Sequence, residues 1–282
     1  MIAAFVAAAA LSAAKPPRTI LFVGNSFTFG AMSDVMTYRK DSVTDLNGDG
    51  VGGVPALFKR FAEEAGLRYA VSLETAAGQT LAWHLSNKRS LIDRAWDAVV
   101  LQEYSTLNPD KPGDASATIT ATRGLTNMLR IRNPRVDISL VATWSRPDLT
   151  YPEGKRWSGQ GVRRMALDLR NADDKVRAAV PSIARVIPVG QAFSCAIARG
   201  IADPNPYDGL TPGQVDLWAG DHYHASNHGY YLEALTVFAA VTRADPRRLG
   251  RHEQAARDLG IKPQVAASLQ RVAFDMAIRG RC

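Results

Sequence analysis

Five short runs of aliphatic residues recur along this chain, each separated from the next by enough residues for a helix. They are residues 19–23 (TILFV), 69–75 (YAVSLET), 96–101 (WDAVVL), 136–143 (VDISLVAT) and 183–189 (IARVIPV). Their apolar character is nearly continuous rather than alternating, which predicts strands covered on both faces. Helical periodicity fills the gaps at 54–65, 115–130, 161–180 and 227–241, with a short helical piece at 91–94 and more helix from Pro246 onward. The first of these stops at Gly66, a good C-terminal signal. Strands alternating with helices require crossover connections and hence a parallel sheet. No internal repeat and no Ser/Gly-rich linker divides the chain. The expectation is one α/β domain around a five-stranded parallel sheet.

Composition agrees with that reading. Apolar residues make up 46% and charged residues 22% of the 282, which excludes a disordered chain, a collagen-like repeat and a disulfide-dense mini-protein. The only long apolar stretch is at the N-terminus, so a polytopic membrane protein is excluded as well. The formal charge is +7. The densest basic groups are Arg130, Arg132, Arg135 and Arg243, Arg247, Arg248, Arg251. Neither is interleaved with stacking aromatics, so they read as a solvated surface and not as a nucleic-acid site.

In an open parallel sheet, ligands bind beyond the carboxyl ends of the strands. The residues just after each strand are therefore the informative ones. The first strand runs into Gly24-Asn25-Ser26-Phe27-Thr28. A Ser on a tight turn there is placed to be an exposed nucleophile, with Gly24 permitting the turn and a helix start supplying backbone N–H groups. The plainer alternative is that Ser26 caps a helix.

A Ser hydroxyl needs an adjacent base. Asp221-His222-Tyr223-His224-Ala225-Ser226-Asn227-His228-Gly229 contains three of the five histidines. Asp221 and His224 are three apart on a loop leading into a helix. That spacing suits a carboxylate orienting an imidazole through Nδ1, leaving Nε2 for a hydroxyl. A metal site is the competing reading of Asp221, His222, His224 and His228, although the spacing fits no familiar zinc pattern.

GNSFT after the first strand, together with DxxHxSxxG near the end, resembles the SGNH/GDSL hydrolases. The resemblance spans nearly the whole chain after its leader. It implies a three-layer α/β/α sandwich with a flavodoxin-like sheet, Ser26 as nucleophile, and Asp221 and His224 as its partners. It also implies an oxyanion hole built from the backbone N–H groups of Ser26 and Gly78. Where the family usually has GxND, this sequence has Leu101-Gln102-Glu103-Tyr104-Ser105. Gln102 is then the candidate third donor, and a structural loop residue is its alternative.

The implied reaction is two-step acyl transfer through an acyl-enzyme, with no cofactor and no metal. Some carbohydrate esterases of this clan have a similar Gln-containing motif, and that resemblance at Gln102-Glu103, with the aromatics at strand ends, implies a small-molecule or carbohydrate ester, an O-acetyl ester first of all. A lipase or carboxylesterase, an O-acyltransferase and a non-catalytic carbohydrate-binding relative are the rivals. Asn25, Glu103, Trp83, His84 and Trp144 are the candidate substrate-binding residues, with Trp157 in a nearby loop.

Residues 1–14 (MIAAFVAAAALSAA) resemble a secretory signal, with Ser12-Ala13-Ala14 as the cleavage region. This divides the chain into a leader at 1–14, a hydrolase domain at 15–245 and a helical C-terminal extension at 246–282 packed on it. It also implies an exported protein, periplasmic or secreted, with no stable membrane insertion once the leader is removed. Cys195 and Cys282 fit no metal or redox motif, and one disulfide or two free thiols both remain open. Asp45-Leu46-Asn47-Gly48-Asp49-Gly50 copies half a calcium loop. Ala56 stands where the bidentate Glu belongs, so a surface turn is expected. Residues 30–53 form a long connection on the site side, of the kind that shapes pockets. The turn-rich stretch 203–209 is expected to be scaffold.

Overall fold

The computed structural model describes residues 16–282, so the expected leader at 1–14 lies outside the described residues. Six strands form one sheet: β1 (Arg18–Gly24), β2 (Thr44–Asp45), β3 (Tyr69–Thr75), β4 (Ala98–Gln102), β5 (Asp137–Ala142) and β6 (Ile183–Pro188). Their spatial order is β2-β3-β1-β4-β5-β6, and every pair is parallel. The five anticipated strands are all present, and without β2 their order is that of a flavodoxin-like sheet.

The count of five is corrected to six by β2. It has two residues, paired as Thr44↔Ser72 and Asp45↔Leu73, too few to leave a run in the sequence. The turn behind it explains the calcium-like stretch. The Asp45 carboxylate accepts the N–H groups of Asn47 (3.0 Å) and Val51 (3.2 Å). Asn47 in turn donates to the Thr75 carbonyl at 2.8 Å, and Lys88 donates to its Oδ1 at 2.9 Å. These side chains fold an Asx-type turn and fasten it to the end of β3.

Alternate residues of a strand face opposite sides, and β1 feeds two cores. Ile20 and Phe22 pack with the helices Gly53–Glu64, Val189–Ala198 and Asn227–Thr242. Leu21 and Val23 pack with the helices Ser116–Arg132 and Gly161–Ala179. The result is a three-layer α/β/α sandwich.

The C-terminal residues join the first of these cores through Ala255, Leu259, Leu269 and Val272. Polar ties reinforce them. Tyr38 donates to Asp258 at 2.9 Å, Arg199 pairs with Asp275 at 2.8 Å, and Gln270 donates to the Gly250 carbonyl at 2.8 Å. A disulfide joins Cys195 in the helix Val189–Ala198 to Cys282, with Cα atoms 5.5 Å apart. Of the two open readings of the cysteines, the structure has the bridge.

Candidate active site

Ser26 stands two residues past the end of β1 and opens the short helix Ser26–Phe29. Asn25 caps that helix, its Oδ1 accepting the Phe27 N–H at 3.2 Å. The turn is held from below by Gln102 at the end of β4. Its Oε1 accepts the Asn25 N–H at 3.1 Å and the Thr28 hydroxyl at 2.9 Å. Gly24 makes this approach possible, since a Cβ there would lie 2.2 Å from Thr28 Oγ1 and 2.7 Å from Gln102 Oε1.

Gly78 lies on the exposed loop after β3 with φ +67°, a backbone conformation that favours glycine. Two bonds stitch this loop to the Ser26 turn: Ala76 N–H donates to the Gly24 carbonyl at 3.1 Å, and Asn25 Nδ2 donates to the Gln79 carbonyl at 3.0 Å. Among the described residues, the N–H groups of Ser26 and Gly78 have no hydrogen-bond partner. They belong to adjoining loops at the carboxyl ends of the neighbouring strands β1 and β3.

The Asp221–His224 loop is packed against the same end of the sheet. Asp221 Oδ2 meets His224 Nδ1 at 2.6 Å. Its other oxygen accepts the N–H groups of Tyr223 (3.0 Å) and His224 (2.9 Å). Burial opposes ionisation of Asp221, but these bonds from the His224 ring and the two N–H groups outweigh it and hold the carboxyl below its usual range. His224 Nε2 is buried and has no hydrogen-bond partner among the described residues. The Ser26–His224 hydrogen bond is therefore not made in this structure.

What joins the two regions is aromatic. The Phe27 ring, next to Ser26, lies 5.4 Å from Tyr223 and 5.8 Å edge-on from His224. Tyr230, in the helix that follows, brings its hydroxyl to the Ser26 carbonyl at 3.2 Å and the Ala31 carbonyl at 3.1 Å.

The rest of DxxHxSxxG is architectural. Ser226 caps the helix Asn227–Thr242, accepting from the His228 and Gly229 N–H groups at 3.2 and 3.3 Å. A Cβ on Gly229 would lie 2.2 Å from the Leu217 carbonyl oxygen. As for the metal reading, no three His, Cys, Asp or Glu side chains among the described residues are grouped to hold an ion.

Several expected contacts with substrate are corrected by burial. Trp144 and His84 are both 0% exposed. Trp144 is stacked between Phe27 (3.9 Å) and Phe193 (5.2 Å), and its indole N–H donates to the Tyr223 carbonyl at 3.2 Å. His84 Nδ1 is paired with the buried Glu74 at 2.6 Å. Glu103 is buried and accepts the Leu81 and Tyr104 N–H groups at 3.0 and 2.7 Å. Burial pushes its carboxyl above the usual range despite those bonds. Asn25 is buried with both ends of its amide in use. Trp157 is buried and donates to Asp168. Trp83 alone of these candidates remains half-buried at the surface, with Lys88 Nζ 5.9 Å from its ring.

Gln102 needs a similar correction. Its amide nitrogen donates to the Glu103 carbonyl, while its oxygen holds Asn25 and Thr28. Gln102 is buried and its oxygen is fully engaged, so it braces the Ser26 turn, the structural role that was its alternative.

Sequence reasoning passed over Arg146 and Tyr223. The Arg146 guanidinium lies 3.6 Å over the Tyr223 ring, and that ring lies 4.3 Å from His224. Arg146 also donates to Ser105 at 3.1 Å and pairs with Asp148 at 2.6 Å. Both Ser105 and Arg146 come shortly after a strand, β4 and β5 respectively, so the strand-end rule was the signal that marked them.

No family model matches the chain, and no curated protein matches it in sequence. Solved structures do match it in fold. A DUF4886 family protein from Bacteroides uniformis superposes with a TM-score of 0.65 at 18% identity, over 94% of this chain and 96% of the other. A candidate GDSL-like lipase from Parabacteroides merdae gives 0.56 at 17% identity, over 81% and 97%. The chain has an SGNH/GDSL hydrolase-like fold.

Proposed function

We propose that the protein is a serine ester hydrolase that removes O-acyl groups through an acyl-enzyme. The observation that carries this reading is the Asp221–His224 bond. It occupies Nδ1, fixes the ring, and leaves Nε2 as an unpartnered acceptor beside the loop that bears Ser26. In this reading Nε2 takes the Ser26 hydroxyl proton as Oγ attacks the ester carbonyl. The imidazolium then protonates the departing alcohol. Water, activated by the same nitrogen, releases the acid and restores Ser26.

In this reading the unpartnered N–H groups of Ser26 and Gly78 donate to the developing oxyanion. The brace formed by Gln102 and Asn25 keeps these two donors from drifting relative to each other.

Fold likeness to a GDSL-like lipase supports ester chemistry in general. Within it, an O-acetyl ester is the proposed bond. The disulfide supports an oxidising compartment and hence export. Among the described residues no helix is long and apolar enough to cross a membrane.

Hydrolysis of 4-nitrophenyl acetate tests the reading. Wild type is expected to turn the ester over, and Ser26→Ala to lose at least about a thousandfold in kcat. Addition of a chelator is expected to leave the rate unchanged. Wild-type activity that survives Ser26→Ala overturns the mechanism.

A further inference from the structure

We propose that Tyr207 and His222 form a stacking platform for a sugar ring, which assigns the alcohol side of the ester to a carbohydrate. The inference rests on the esterase reading above and specifies the substrate class of the same site.

Tyr207 is 47% exposed and is the only aromatic among the large exposed apolar side chains of the described residues. An isolated aromatic on a loop is unremarkable, but this one is built in. Its ring lies 4.2 Å from His222 and 5.6 Å from Tyr151. Its loop is held rigid from within. The buried Asp203 accepts the Asn205 and Thr211 N–H groups at 2.9 and 2.7 Å, Asn205 accepts the Tyr207 N–H at 3.2 Å, and Tyr151 donates to the Pro204 carbonyl at 2.7 Å. A preorganised ring loses little entropy when a ligand stacks on it.

His222 links this platform to the reacting centre. It has φ +56°, a left-handed backbone that is costly for a non-glycine residue. In that conformation its ring meets Tyr207, while His224, two residues on, meets Asp221 and Tyr223. One loop thus carries both the candidate base and a stacking ring.

Polar groups suited to sugar hydroxyls stand beside the rings. The Asp148 N–H donates to the His222 carbonyl at 3.3 Å. Its carboxylate, 29% exposed, pairs with Arg146, which lies over Tyr223. An aromatic face next to a carboxylate and a guanidinium matches a pyranose, with its apolar C–H face and its hydroxyl edge. A long acyl chain would gain nothing from the charged pair. The loop expected to be scaffold is therefore assigned a part in recognition.

The test compares wild type with Tyr207→Ala and Tyr207→Trp on acetylated xylo-oligosaccharides and on 4-nitrophenyl acetate, which carries no sugar. Tyr207→Ala is expected to lose at least ten times more kcat/KM on the oligosaccharides than on the aryl ester, chiefly through KM. Tyr207→Trp is expected to keep most of the oligosaccharide activity, because it restores a stacking face. Equal losses on the two substrates, or a loss that grows with acyl length across 4-nitrophenyl esters, would overturn the platform. Failure of the esterase reading looks different: it is hydrolysis of 4-nitrophenyl acetate that persists in Ser26→Ala, whatever Tyr207 does.

Discussion

The hydroxyl of Tyr230 lies 3.2 Å from the carbonyl oxygen of Ser26, 204 positions away in sequence. It also reaches Ala31 O at 3.1 Å, so one buried side chain ties the helix after the Asp221–His224 loop to both ends of the Ser26 turn. Tyr230→Phe keeps the ring and removes the donor, so the half-buried Ala31 carbonyl loses this bond while the Ser26 carbonyl keeps the Gly30 and Ala31 N–H groups. The expected cost is about 1 to 2 kcal/mol of stability. A kcat loss of up to about tenfold should accompany it, because the hydroxyl no longer fixes the turn against the helix. Denaturant midpoints and kcat on 4-nitrophenyl acetate check both, and an unchanged kcat would show that the tie serves folding alone.

Asp221 sets a pH dependence. Its folded carboxyl sits below the usual 3.8, since its bonds from His224 and Tyr223 overcome the opposing effect of burial. A group with a depressed folded pKa stabilises above its unfolded pKa, and that stabilisation is lost as pH falls through the folded value. Asp221→Asn should therefore be less stable than wild type at pH 7, and the gap should begin to narrow near pH 4 and close as pH falls through the lower folded value. Activity should fall about a thousandfold or more at neutral pH, because an amide no longer selects the tautomer with a free Nε2. Urea melts across pH and a rate profile give the two readouts. A stability gap that persists unchanged at pH 2.5 would count against the ionised Asp221 carboxylate.

Gly24→Ala tests the packing beneath the nucleophile turn. The new methyl carbon meets Thr28 Oγ1 at 2.2 Å and Gln102 Oε1 at 2.7 Å. Neither neighbour can retreat without giving up its hydrogen bond. A loss of about 1 to 3 kcal/mol is expected from the overpacking, together with a marked fall in kcat. Gly78→Ala makes a useful contrast. No atom stands within 4 Å of its Cβ, so its cost comes only from the positive φ, about 1 kcal/mol or more.

Much of this arrangement was legible in the chain. The five longer strands show because buried parallel strands need continuous apolar runs, and the Asp221–His224 pairing shows because three residues of loop bring a carboxylate to Nδ1. Other parts were not. A position after a strand tells which end of the sheet a residue occupies, but not whether its side chain turns outward or in. Asn25, Gln102, Glu103, His84 and Trp144 all sit at the expected end and all turn inward. Tyr207 was hidden for the opposite reason: its loop reads as turn chemistry, and only three dimensions bring its ring to His222.

Gln102 separates a brace from a donor. A direct oxyanion donor can be removed with a loss of about a hundredfold or more in kcat and little change in stability. A brace cannot. Gln102→Ala strips buried partners from the Asn25 N–H and the Thr28 hydroxyl, which should cost about 2 to 3 kcal/mol. The expected result is a lowered melting temperature along with lowered kcat. Loss of activity at full stability would restore Gln102 to the oxyanion hole.

The Cys195–Cys282 bridge closes a loop with a sequence separation of 87 and pins the last residue of the chain to a helix behind β6. Closing a loop of that length restricts the unfolded chain by about 4.6 kcal/mol in the chain-entropy relation. The folded tail holds on by its own packing as well, through Leu269, Val272 and the Arg199–Asp275 pair. Reduction should therefore lower stability by about 4 kcal/mol without detaching the tail at 25 °C, and kcat should stay as it was. Denaturant melts with and without dithiothreitol, and of the Cys195→Ser, Cys282→Ser double variant, measure this directly. Coincident curves would mean that the tail contacts alone fix the C-terminus.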